Sequence, residues 1–242
     1  MKKAFTLVEL VLVVVVVGII SAAIVPRLNR STLDQAADQI VSHIRYTQHL
    51  ALTDDKFDPK DPRWFKERWQ LSFSRSVDSK NVWAYAIFSD MYNHDGSGNL
   101  KQELARDPMN PGSLNAAGQI VASSPGQYLS GGISGILHLN DSRRNKKMNL
   151  YETYHINWVS FSRSCSTQNP GTKNQSRRII FDSVGRPYYY YKKDKDSLAA
   201  NPYSDMRLIK SQCVITLYEN ADRTGNSIKI AVEPETGYTH IL

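Results

Sequence analysis

The 242-residue sequence predicts an α+β fold, in which one long N-terminal helix precedes a domain built on an antiparallel β-sheet. Residues 5–25 form an apolar run with a single charge, Glu9, and predict the membrane half of that helix. Residues 33–51 repeat apolar positions at helical spacing and predict its amphipathic half. From residue 69 onward the apolar positions alternate with period two, as they do in strands.

The composition excludes some classes of protein. Hydrophobic residues make up 41% of the chain and charged residues 22%, which is typical of a folded globular protein and not of a disordered one. A mean hydropathy of −0.43 excludes a polytopic membrane protein. The net charge of +7 permits a polyanionic partner without requiring one.

The apolar run from residue 5 to residue 25 has 21 residues and as a helix is about 31 Å long, enough to cross a bilayer core. A secretory signal peptide is the alternative, with Lys2 and Lys3 as its basic region. The presence of Glu9 requires an explanation, because a carboxylate inside an apolar segment raises the free energy of membrane insertion by about 2–4 kcal/mol. Either Glu9 has a function or it lies close enough to the interface to reach water.

The amphipathic half has its own start and stop signals. Ser31 or Thr32 can cap a helix, and Asp54 and Asp55 end it. The apolar side is formed by Leu33, Ala37, Ile40, Val41, Ile44, Gln48 and Ala51. The polar side is formed by Arg30, Gln35, Asp38, Gln39, Ser42 and Arg45.

Strands are predicted at 69–73, 83–87, 133–139, 154–161, 177–181, 188–191, 213–218 and 228–232, with Gly or Asp in most connections. Residues from about 90 to 132 are rich in Gly, Pro, Asn and Ser and predict a long loop insertion. A short helix is expected there, at 100–106.

The N-terminal residues resemble a known family. Lys2-Lys3-Ala4-Phe5-Thr6-Leu7-Val8-Glu9-Leu10 is similar to the signal of type IV prepilins and pseudopilins. The resemblance implies cleavage between Ala4 and Phe5, N-methylation of Phe5, and a role for Glu9 in assembly. Pro26 matches the proline that kinks pilin helices, and Ala4 departs from the glycine that the family usually has before the cut.

The resemblance also implies an organisation of the chain. Residues 1–4 are a leader, 5–25 the transmembrane and assembly half of the helix, 26–55 its amphipathic half, and 56–242 a periplasmic β-rich domain. Residues 180–187, 228–232 and 236–237 are similar to minor pseudopilins of the type II secretion H-type and type IV pilus T-type group.

The expected function is therefore structural: a minor pilin or pseudopilin assembled into a type IV pilus or a type II secretion pseudopilus. The expected partners are other pilins, through the N-terminal helix, and the prepilin peptidase. The expected localisation is the inner membrane, single-pass, with the globular domain in the periplasm and later in the filament. In the filament, Glu9 of one subunit would neutralise the amino terminus of Phe5 in a neighbour.

The alternative function is a DNA-binding minor pilin acting in DNA uptake or adhesion. A tyrosine run at 188–191 is surrounded by basic residues, and basic groups interleaved with aromatics can hold nucleic acid. The candidate DNA contacts are Arg177, Arg178, Arg186, Lys192 and Lys193. A solvated strand with alternate tyrosines in the core explains the same pattern.

Two cysteines, Cys165 and Cys213, lie 48 residues apart, which is not a metal-binding spacing. In an exported domain such a pair is usually bridged, as in many pilins, and the alternative is two buried thiols. We expect no catalysis, because the six histidines are scattered and no nucleophile elbow or phosphate loop is complete.

No cofactor is required, and calcium is the one candidate ligand. Residues 93–100 resemble the front of an EF-hand loop. The candidate ligands are Asn93, Asp95, Ser97, the carbonyl of Asn99 and, one position early for the last ligand, Glu103. Asp90 and Asp107 are possible substitutes, and a polar glycine turn is the alternative.

Overall fold

The computed structural model describes residues 7–28, 31–91, 100, 102–133, 137–166, 175–190 and 206–242. Its α-helices are α1 (Leu7–Leu28), α2 (Thr32–Thr53) and the short α3 (Leu150–Tyr154). Short 3-10 turns lie at Trp64–Glu67, Lys146–Met148 and Arg163–Cys165. The strands are β1 (Gln70–Arg75), β2 (Trp83–Phe88), β3 (Trp158–Phe161), β4 (Gln175–Phe181), β5 (Pro187–Tyr190), β6 (Met206–Leu208), β7 (Cys213–Tyr218), β8 (Ser227–Val232) and β9 (Thr239–Ile241).

The predicted fold class is wrong in its N-terminal part, because the residues described there do not form one long helix. Two helices of 22 residues each, α1 and α2, take its place. The physical reason lies at Ser31, whose backbone is extended (φ −64°, ψ 154°) and whose side chain accepts a hydrogen bond from the N–H of Asp34. An N-cap of this kind starts a new helix, since its extended backbone cannot continue a preceding one.

The membrane half of the predicted helix is also not found. Among the residues that the structure describes, no helix is both long enough and apolar enough to cross a membrane.

The β part is corrected from one antiparallel sheet to two, and the fold is mostly β. Sheet A has five strands in the order β2-β1-β4-β5-β6, and sheet B has four in the order β3-β7-β8-β9. Neighbouring strands in both sheets are antiparallel, and several pair across long stretches of sequence. In the centre of sheet A, for example, Leu71 lies opposite Ile87 on one side and Ile179 on the other.

One core joins α2 to both sheets. Helix α2 contributes a stripe that includes Ile40 and Ile44, both completely buried. Sheet A contributes residues such as Phe73, and sheet B residues such as Ile215 and Ile230. The predicted apolar side of α2 is therefore the side that packs, as helical periodicity requires.

The second face of sheet A is also covered. The segment 102–144 lays Leu104, Tyr128 and Leu137 against Ala86 and Phe88. Phe65 covers Ile180 and Tyr188 farther along the same face. Every residue of β2 is consequently buried.

The remaining predictions of helices and strands are partly confirmed and partly wrong. Strands are found close to the predicted positions 177–181, 188–191, 213–218 and 228–232. The helix expected at 100–106 is absent from the described part of that segment, where Leu104 and Arg106 make isolated bridges to Phe88 and Tyr128. In the described residues of 133–139 no strand is formed, and Leu137 instead packs in the cluster over β2.

Candidate assembly surface and the other predicted sites

The first two-thirds of α1 is apolar on all sides and uncovered within the described chain. Its large apolar side chains at 7, 8, 10–17, 19 and 20 are between 45% and 79% exposed. Helices that are hydrophobic all round are normally buried in a larger assembly or a membrane. This surface, residues 7–20 of α1, is called the α1 surface below.

Glu9 is the acidic residue in the first turn of α1. A carboxylate at this position is stabilised by the partial positive charge at the helix N-terminus, typically by about 0.3–1 kcal/mol. The helical backbone of α1 includes Pro26. Ala4 and Phe5, the predicted cleavage pair, lie outside the described residues.

The predicted calcium ligands Asn93, Asp95, Ser97 and Asn99 also lie outside the described residues. Glu103 is described and fully buried, and its carboxylate accepts a hydrogen bond from the N–H of Leu100 at 3.0 Å. Asp90, at the other end of the loop, is also buried. The part of the chain that the structure describes contains no group of three or more His, Cys, Asp or Glu able to hold a metal.

Asp107, the other proposed substitute ligand, is engaged in local structure. One carboxylate oxygen accepts the N–H of Met109 at 2.9 Å, and the other accepts the side-chain amide of Asn145 at 2.7 Å. Both contacts hold the segment around 107 against the turn at 145. Asp107 is therefore a structural acceptor in this geometry.

The basic residues predicted to contact DNA are not brought to one face. Arg177 and Arg178 are consecutive in β4 and so point to opposite faces of sheet A. Arg177 lies 6.0 Å from the Trp83 ring centre, whereas Arg178 lies 4.9 Å from that of Tyr190. Arg186 pairs with Asp182 at 2.8 Å, and Lys192 and Lys193 lie outside the described residues.

Arg68 carries no signal in the sequence analysis, but it too lies over aromatic rings, one of them in the tyrosine run. Its guanidinium lies 4.9 Å from the ring centre of Trp64 and 5.0 Å from that of Tyr188. Tyr188 and Arg178 belong to the same face of sheet A, since Tyr188 lies opposite Ile180. Within the described residues, Arg68 and Arg178 thus both have guanidiniums over tyrosine rings of this face.

A buried polar network fastens α2 to the β part and was also missed. Gln39 donates to the hydroxyl of Tyr85 and to the carbonyl of Lys147, both at 2.8 Å, and accepts from the hydroxyl of Tyr154. His43 lies 2.8 Å from the same Tyr85 hydroxyl. Burial lowers the pKa of His43 from 6.5 to about 4, partly offset by the charge of Asp107. Helical periodicity assigns Gln39 to the polar side of α2, but only the fold supplies its partners.

The C-terminal half of α2 is fastened by two further polar side chains. The side-chain amide of Gln48 donates to the carbonyls of Gly185 and Thr236, at 2.8 Å and 2.7 Å. Arg45 donates to the carbonyl of Thr239 at 2.7 Å. The turns at 182–187 and 233–239 therefore receive α2.

The cysteine prediction is confirmed. Cys165 and Cys213 form a disulfide, with their Cα atoms 5.4 Å apart. The bridge joins the 3-10 turn after β3 to the first residue of β7. It lies inside the common core, where both residues are almost fully buried.

The comparisons with known proteins found no relative. No protein-family model, no curated protein and no solved structure matches the chain.

Proposed function

We propose that this protein is a pilin-like minor subunit that assembles with other subunits through the α1 surface. The observation that carries the proposal is the exposure of apolar side chains around the whole of residues 7–20. The same apolar helix in a neighbouring subunit is a suitable partner, because apolar helices that pack against one another remove these side chains from water. The resemblance of residues 2–10 to prepilin signals supports the same partner.

In this proposal, Glu9 fixes the position of neighbouring α1 helices relative to one another along their length. Removal of residues 1–4 would make Phe5 the new amino terminus, four positions before Glu9. A neighbouring subunit's Glu9 would pair with that amine inside the packed helices. Removing one partner of a buried ion pair costs about 3–5 kcal/mol, so the dependence on Glu9 should be large.

The first test is the mass of the mature chain. Intact-mass analysis of the protein made in cells that contain a prepilin peptidase should show loss of residues 1–4 and one added methyl group. A chain that begins at Ser21 or later would instead identify a secretory signal peptide and remove the basis of the proposal. The predicted inner-membrane localisation and the peptidase as partner stay predictions until this is measured.

The second test is assembly of Glu9→Leu. Incorporation of this variant into filaments, measured by immunoblotting of sheared filaments, should fall at least tenfold. Val13→Leu is the matched control, because it changes the α1 surface without changing charge. Normal incorporation of Glu9→Leu would show that the glutamate has no pairing role and serves only the first turn of α1.

Calcium binding at residues 93–103 is part of the proposal. The support is the pair of buried carboxylates, Asp90 and Glu103, at the two ends of the loop. Calcium should raise the melting temperature of the protein, Asp95→Ala should abolish the rise, and magnesium should do much less. Identical melting curves in calcium and in chelator would leave a plain turn.

DNA binding remains the second candidate function. The observation that favours it is the placement of Arg68 and Arg178 among Trp64, Tyr188 and Tyr190. Binding carried by these residues should fall steeply with salt concentration and weaken uniformly across sequences in the double variant Arg68→Gln/Arg178→Gln. A folded protein that binds no DNA at low salt would leave the assembly function alone.

A further inference from the structure

Three arginines gather around two tryptophans where sheet A meets the first strand of sheet B. Arg75 ends β1 and lies opposite Trp83, the first residue of β2. Arg177, in β4, lies opposite Phe73 and so belongs to the same face as Arg75 and Trp83. Trp158 begins β3, and its ring packs edge-on against that of Trp83 at 5.9 Å between ring centres.

The arginines lie close to the two indole rings. The guanidinium carbon of Arg223 is 4.7 Å from the ring centre of Trp158, and that of Arg75 is 6.0 Å from the same ring. The guanidinium carbon of Arg177 is 6.0 Å from the ring centre of Trp83. We call this group of five residues the arginine–tryptophan cluster.

Within the part of the chain that the structure describes, the positive charge of the cluster has no acidic partner at ion-pair distance. Among the described residues, no carboxylate forms an ion pair with Arg75, Arg177 or Arg223. Burial lowers the pKa of Arg177, and the nearby charge of Arg223 lowers it further. Arg177 is half-buried and Arg223 is exposed, and like charges held near one another repel unless an opposite charge joins them.

The cluster also holds buried donors that lack acceptors. Within the described chain, the indole N–H groups of Trp83 and Trp158 and the Nε of Arg177 are buried and find no hydrogen-bond acceptor. Trp83 is only 1% exposed, so its N–H is removed from solvent. A buried donor without an acceptor costs about 1–3 kcal/mol, and such groups usually have a partner.

The backbone around the cluster is held in a rare conformation. Arg223 has φ 67°, in the left-handed region that side chains other than glycine seldom adopt. Asn81, whose carbonyl accepts the Nε of Arg75, has φ 60°. Backbone strain of this kind is concentrated at binding and active sites.

We propose that the arginine–tryptophan cluster is a binding site for a tetrahedral oxyanion of the phosphate or sulfate class. The oxygens of such an anion are mainly acceptors, which suits a site whose side chains offer donors. Its negative charge offsets the repulsion among the guanidiniums, whose planar N–H pairs match its oxygens. The two indole rings beneath the guanidiniums hold them in place by cation–π contact.

The test is a phosphate titration of the full chain at pH 7, with sodium chloride adjusted to keep ionic strength constant. Phosphate should raise the melting temperature and change the tryptophan fluorescence with saturation. Arg223→Gly and Arg177→Gln should each weaken this binding at least tenfold. Arg163→Gln, which removes one exposed arginine outside the cluster, is the control and should bind like the wild type.

The two variants distinguish lost binding from lost folding. Without phosphate, Arg223→Gly should melt no lower than the wild type, because it removes a repelling charge and a side chain at φ 67°. At saturating phosphate the order should reverse. The proposal would be overturned if phosphate had no saturable effect on the wild type. It would also be overturned if both variants bound phosphate as tightly as the wild type does.

A parallel titration identifies the source of the anion. Short single-stranded DNA tests a phosphodiester, and inorganic phosphate and sulfate test a free ion. Saturable binding of any of the three probes that is lost in Arg223→Gly supports the site, and competition between the DNA and the free ions places them at the same cluster. Failure of all three probes with the wild type overturns it.

Discussion

His43 shows how one buried side chain makes stability depend on pH. Because burial lowers its pKa from 6.5 to about 4, the folded protein keeps His43 neutral where the unfolded chain already binds a proton. The stabilisation is complete above pH 6.5 and is lost as pH falls from 6.5 toward 4. By linkage the loss reaches about 3 kcal/mol.

We therefore expect His43→Gln to flatten the pH dependence of the free energy of unfolding between pH 6.5 and pH 4. Denaturant unfolding at several pH values measures it. His49→Gln is the matched control, since His49 is exposed on the same helix. A slope in His43→Gln equal to that of the wild type would assign the acid sensitivity to other groups.

Single residues are predictable from sequence where their partners are local. Ser31 is recognisable as a cap because its acceptor role is fulfilled three residues later, at Asp34. Arg75 and Arg223 belong to one cluster yet are far apart in sequence, and no local pattern relates them. Of the cluster's arginines, only Arg177 carried a sequence signal, as part of a basic run.

At the scale of elements, α2 depends on two tight turns that receive its C-terminal half. Gly237 lies at φ +65°, and a Cβ there would lie 2.7 Å from the side-chain nitrogen of Gln48 and 2.8 Å from the carbonyl oxygen of Gly185. No L side chain fits this position without moving the helix or the turn. The close approach explains why the residue is glycine.

Gly237→Ala should therefore lower the free energy of unfolding by about 2–4 kcal/mol, from backbone strain plus steric overlap. Gly118→Ala provides the comparison, because Gly118 has φ +74° with no atom within 4 Å of the added Cβ. It should cost only about 1 kcal/mol, the strain alone. Equal losses in urea unfolding would mean that the helix does not press on the turn.

A helix or strand can be predicted from the sequence where burial of one of its faces produces a periodic pattern of apolar residues. The period-two runs at 213–218 and 228–232 become β7 and β8 because alternate residues face one core. The pattern fails at 100–106, where Leu104 is buried through an isolated bridge to Phe88 and not on a helix face. Long-range cover of this kind leaves no periodic signal in the segment itself.

For the whole molecule, the sequence predicts one long N-terminal helix and one antiparallel sheet after it, whereas the structure has two helices in that region and two sheets. The two sheets are distinguished by pairings such as β1 with β4, which join residues about a hundred positions apart. Periodicity reports which residues are buried and not which strands are neighbours. Ser31 is marked in the sequence as a candidate cap, but hydrophobic periodicity alone does not tell whether a new helix begins there or one helix continues through it.

The disulfide is a prediction about the whole chain, because it acts on the unfolded state. It closes a loop between residues 48 positions apart, which by the chain-entropy model contributes about 4 kcal/mol. The double variant Cys165→Ala/Cys213→Ala should lose approximately this free energy of unfolding. Reductant should destabilise the wild type and leave the double variant unchanged, whereas equal stability without reductant would contradict the entropic role.

The contacts of α2 with the C-terminal part of the chain also affect folding during synthesis. Arg45 binds the carbonyl of Thr239, 194 residues later, and Gln48 binds that of Thr236. A ribosome that adds about 5–20 residues per second needs roughly 10–40 s to supply those acceptors after α2 has emerged. Toward the end of that interval the strands of sheet A that contact α2 are already made, but sheet B is incomplete and leaves part of the apolar stripe uncovered, so we expect the nascent chain to be a client for a holding chaperone. A chain truncated before β8 would remain one.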